Sequence, residues 1–161
     1  MIKAMRRILL YGIGLILAFL LGLSYTATSR ANSRGGRVSH NCAATDRAFI
    51  ETAKTNMAAI SLWGQDYVAG DAGPAEVAAQ SERAAKIVGA TAPTDPSLIQ
   101  TRQLLVAMFT AYRKAMEAEE RHGDAGKHMF HAYALANDAH DTLVEAEPPL
   151  AERGCDVAPL L

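Results

Sequence analysis

Aromatic side chains are scarce in this chain of 161 residues: four Phe, five Tyr and one Trp make up 6% of it. A core built from so few large rings has modest volume, and the length allows one domain of ordinary size. Glycine and proline are also few, at 12 and 6 against 31 alanines. That balance favours helix over strand or disorder. Cysteine occurs only twice, at Cys42 and Cys155, and no Cys-x-x-Cys-His run exists to attach haem covalently. No glycine-flanked serine marks a nucleophile elbow, and no pair of Glu-x-x-His motifs marks a di-iron bundle. Nothing in the residue patterns points to an enzyme, and no cofactor is expected.

Acidic residues are absent from the first 37 positions, which carry six Lys/Arg, whereas residues 38–161 carry ten Lys/Arg against seventeen Asp/Glu. The near-neutral total of −1 therefore hides a basic leader and an acidic domain. An acidic domain repels nucleic acid, so no nucleic-acid partner is expected.

Charge is also missing between Arg7 and Arg30, where residues 8–23 read ILLYGIGLILAFLLGL. At about 1.5 Å per residue, residues 8–27 span about 30 Å of bilayer core as a helix. The sequence thus predicts a single transmembrane helix over 8–27, preceded by a cytoplasmic segment 1–7. A cleaved signal peptide is the alternative, with small residues Ala27, Ser29 and Ala31 near a cutting point. The apolar run exceeds the usual h-region of about 7–15 residues, which favours an uncleaved signal-anchor in the lipid bilayer. Lys3, Arg6 and Arg7 before the span nearly balance Arg30, Arg34 and Arg37 after it, so the positive-inside count does not set orientation. The cysteine pair does: a disulfide belongs outside the cytoplasm, which places the C-terminal domain on the extracytoplasmic or periplasmic side of the plasma membrane. Within the span, Gly14, Ala18 and Gly22 recur every fourth residue and offer a face for packing another membrane helix, including one from a second copy of the chain.

Residues 28–40 are polar and lack apolar period, as expected of a linker. Beyond them, four amphipathic segments can be read over residues 41–147. The first is expected to start near Asn41, acting as its cap, and to end before Gly70. The second opens at Pro74 and stops near Gly89. The third follows the Asp95-Pro96 start signal and closes near His122-Gly123. The fourth runs from about Ala125 to Glu147, where Pro148-Pro149 is expected to end it and leave residues 148–161 as a tail. Short turns between these segments predict an all-α fold, an antiparallel four-helix up-down bundle. In such a bundle the first helix begins where the last one ends, so Cys42 and Cys155 are expected to pair. That bridge would contribute about 4–5 kcal/mol on the chain-entropy account.

The same topology gathers Trp63, Tyr67, His122, His128 and His131 at the opposite, membrane-distal end, as a candidate docking tip. His122, His128 and His131 are also an alternative metal-ligand set, although their spacing matches no established metal motif. Met57, Met129 and His140 are candidate axial ligands for a non-covalent haem, but methionines at helical spacing are more commonly core filler. Glu117, Glu119 and Glu120 read as a solvated helix face. The reading that results is a non-enzymatic, membrane-anchored extracytoplasmic domain acting as an accessory or interaction subunit of a larger membrane complex, with respiratory or transport assemblies as hosts. A metal-binding module and a cleaved, secreted helical ligand or inhibitor are the alternatives.

Overall fold

The structure is a computed structural model that describes residues 41–161. The expected membrane span, its Gly14/Ala18/Gly22 face and the linker lie outside the described residues. Among the described residues no helix is long and apolar enough to cross a membrane.

Local capping chemistry sets most of the element boundaries. Helix α1 (Ala44–Ala69) ends at Gly70, whose φ of 89° turns the chain out of the helix while its amide bonds back to the last turn. Only glycine adopts this left-handed geometry without steric cost. Helix α2 (Pro74–Gly89) begins with a proline whose missing N–H would have had no helical partner, and the Glu76 carboxylate accepts from the Gly73 amide at 2.7 Å. Helix α3 (Pro96–Glu120) is capped by Asp95, which accepts from the amides of Ser97 and Leu98. Helix α4 (Ala125–Glu152) is capped by Asp124, which accepts from Gly126. A single 3-10 turn, Ala158–Leu160, follows.

Two boundaries differ from the sequence reading. Asn41 does not cap α1; the cap position is Ala43, with no side-chain hydrogen bond, and the helix opens one residue later. Nor do Pro148 and Pro149 stop α4, which continues to Glu152. The reason is tertiary: Leu150, directly after the prolines, is fully buried, and its carbonyl accepts from Arg153 and Cys155. Core burial at the next turn outweighs the donors lost at the two prolines. The prolines themselves are exposed, so their rings meet solvent and not a neighbouring helix.

Successive helices pack against each other, α1 on α2, α2 on α3 and α3 on α4, and α1 also touches α3. The disulfide is present, with Cα atoms of Cys42 and Cys155 4.8 Å apart, so the start of α1 and the end of α4 share one end of the molecule. The fourth side departs from a closed square. No Cα of α1 lies within 8 Å of a Cα of α4. At the disulfide end the 3-10 turn fills that gap, touching both helices, and Val157 and Leu160 there are 1% and 6% exposed. Within residues 148–161, expected as a tail, Val157 and Leu160 are part of the core.

The interior divides into two clusters. The larger, at the disulfide end, joins Phe49, Ile50, Leu98, Leu105, Phe109, Leu143 and Leu150 to the disulfide, Val157 and Leu160. The smaller, at the distal end, consists of Val77, Ala78, Ala115, Met116 and Met129. Two buried hydroxyls, Ser81 and Thr101, donate to carbonyls one turn back in their own helices, so neither costs an unmet hydrogen bond.

Candidate functional site

At the distal end, α1 contributes Trp63 and Tyr67, both half-buried and packed on the Val77/Met116/Met129 cluster together with Tyr112 of α3. These rings thus complete a small core and present only part of their surface outward. Gly64, one turn before the end of α1, is buried because a Cβ there would stand 3.3 Å from the Tyr112 hydroxyl oxygen. Burial, and secondarily the neighbouring Tyr67, push the Tyr112 hydroxyl up to about 12. Its hydroxyl is neutral at physiological pH and free of charge in this small core.

The three histidines occupy the turn and first helical turns beside this cluster. His122 is exposed and adopts φ 55°. It supplies the left-handed residue of the α3 terminus, where the Gly123 amide bonds back to the Ala118 carbonyl at 2.7 Å. Glycine would fit that position at lower cost, and the histidine stores some strain there. His128 is half-buried and His131 exposed on α4. Among the described residues no three His, Cys, Asp or Glu side chains gather in a metal-holding arrangement. His122, His128 and His131 are therefore not assembled as ligands, because the αL turn separates the first from the helical pair. Met129 belongs to the distal cluster and Met57 packs on the proximal one, so the candidate axial ligands fill space in two different cores. Of the acidic run on α3, Glu117 pairs with Arg113 and Glu120 is exposed.

Phe130 was not singled out by the sequence. It lies between His128 and His131 and is 75% exposed, more than any other large apolar side chain described; Leu62 on α1 follows at 60%. The signal was available, since Phe130 falls off the Met129, Ala132, Ala139, Leu143 stripe that α4 turns inward. An aromatic on the wrong side of an amphipathic helix is more informative than one on the right side.

A second set of polar residues, also unmarked in the sequence, ties the disulfide end together. Asp46 in the first turn of α1 is 5% exposed. Its carboxylate accepts from the Thr94 amide at 2.5 Å, the Thr94 hydroxyl at 3.1 Å and the Asp95 amide at 3.2 Å. Asp95 in turn accepts from Arg153 at 2.5 Å while capping α3. Three chain segments remote in sequence thus converge beside the disulfide. The buried groups of this cluster satisfy one another, so it acts as a fastening. A shallow depression of about 270 Å³ between α2 and α3 is floored by Ala78 and Ala79 and rimmed by Glu82, Arg113, Glu117 and Arg121. Its opposite charges lie side by side, and Glu82, lowered by its hydrogen bond to Lys86, is simply an exposed half of an ion pair. Compared with protein-family models, curated proteins and solved structures, the chain matches none.

Proposed function

We propose that the chain is a membrane-anchored, non-enzymatic helical domain on the extracytoplasmic side, acting as an accessory or interaction subunit of a larger membrane complex. The observation that supports this reading is the side of the bundle where no Cα of α1 comes within 8 Å of a Cα of α4. On α1 and α3, Met57, Ile60 and Met108 pack on the core yet stay partly exposed. Partly covered aliphatic and thioether surface of this kind is what a partner helix buries. Phe130 and Leu62 add exposed anchors of the residue types that carry binding energy once desolvated. The apolar run over residues 8–27 would hold the domain close to its host, with Gly14, Ala18 and Gly22 as the packing face in the bilayer.

The test is to extract the full-length protein from its own membranes in mild detergent, size it, and identify what travels with it by mass spectrometry. Elution within a large assembly, reduced by Phe130→Ala or by Gly14→Leu with Gly22→Leu, supports the reading. Elution alone as a small particle overturns the interaction claim. Recovery of a shortened chain from the soluble fraction overturns the anchor.

A further inference from the structure

The residues after Cys155 are held differently from those before it. On the α4 side, the Gly154 and Cys155 amides bond back into the last helical turn, and Arg153 reaches both the Pro149 carbonyl and Asp95. Beyond Cys155 every backbone hydrogen bond is local: Ala158 to the Asp156 carboxylate, Leu160 to the Val157 carbonyl, Leu161 to the Ala158 carbonyl. These bonds lie within the segment itself and do not reach α1 or α4. What holds it in the gap between them is the burial of Val157 and Leu160, plus one covalent bond two residues upstream. Two buried aliphatic side chains set against the ordering entropy of a six-residue segment make a near-even contest. The disulfide decides it by keeping the segment at the gap.

From this we infer that residues 157–161 are a strap over the α1–α4 side, latched by Cys42–Cys155 and released when that bond is reduced. The reductant is an external thiol or dithiol. It gives two electrons and two protons to the cystine, leaving two cysteine thiols and the oxidised reductant as a disulfide. The sulfurs belong to residues only 6% and 3% exposed, so attack requires this end of the molecule to open, and reduction and release are coupled. The helices keep their own fastening in Asp46, Thr94, Asp95 and Arg153. Release therefore uncovers apolar surface between α1 and α4 while the four helices stay in place.

Amide hydrogen exchange on the full-length chain in detergent, with and without dithiothreitol, tests this. On reduction, the Leu160 and Leu161 amides should exchange about tenfold faster or more, while those of Leu105, Phe109 and Leu143 change little. The double variant Cys42→Ser with Cys155→Ser should reproduce that pattern without reductant. Unchanged protection at Leu160 and Leu161 with both thiols titratable overturns the strap, and so does a uniform loss across all helices. Failure of dithiothreitol to reduce the folded protein overturns the thiol response.

Discussion

A carboxylate with three donors and almost no solvent is expensive to remove, and Asp46 is such a group. Asp46→Ala strands the amides of Thr94 and Asp95 in a buried place. A loss of about 2–3 kcal/mol in urea denaturation is expected. Tyr112 contributes a pH dependence at the alkaline end. Its hydroxyl is held at about 12 in the fold against 10.0 for the ordinary side chain, so the folded state keeps the proton longer. The resulting stability is complete below about pH 10 and disappears as pH rises through about 12, on the order of 2–3 kcal/mol in all. Alkaline denaturation of Tyr112→Phe should lack this component while that of Tyr133→Phe retains it. Trp63 and Tyr67 show why single residues are hard to assign from sequence. Both carry polar handles and sit near a helix end, as a docking surface would, yet they pack on Val77 and Met116. Topology placed them at the distal end, but it could not say that a second, smaller core existed there to receive them.

Among the elements, α2 was the most legible, because Pro74 and Gly89 punctuate it and nothing tertiary competes. The opening of α3 was equally plain from Asp95-Pro96. The end of α4 was not, since the rule that proline stops a helix is local, whereas Leu150 is drawn inward by contacts from residues distant in sequence. The helix runs through its prolines at a cost, because the carbonyls of Val144 and Glu145 lose their usual donors. Pro148→Ala, at an exposed position, restores one donor. It should raise stability by about 1 kcal/mol, visible as a higher melting temperature with unchanged helix content. The Asp46–Thr94 fastening was illegible for a related reason. An aspartate in the first turn of a helix looks like a favourable dipole partner, and only the fold shows that its acceptors face a loop 48 residues away.

For the whole molecule, the disulfide pairing followed from helix count and direction alone, which is why it could be anticipated. The open side could not, since amphipathic stripes say that a helix has a partner and not how many sides are covered. The pairing also has a mechanical meaning. Cys42 and Cys155 are 113 residues apart in sequence but 4.8 Å apart at their Cα atoms. A pull applied through the chain before Cys42 and after Cys155 runs from one sulfur to the other and bypasses every helix. With handles so placed, a single-molecule stretching experiment on the oxidised domain should find none of the roughly 400 Å of contour that the enclosed residues hold. The same experiment in reductant should release that length in one or more discrete steps. Tension carried along the chain across the domain would thus be borne by one covalent bond, leaving the fold a load-free pendant on the line.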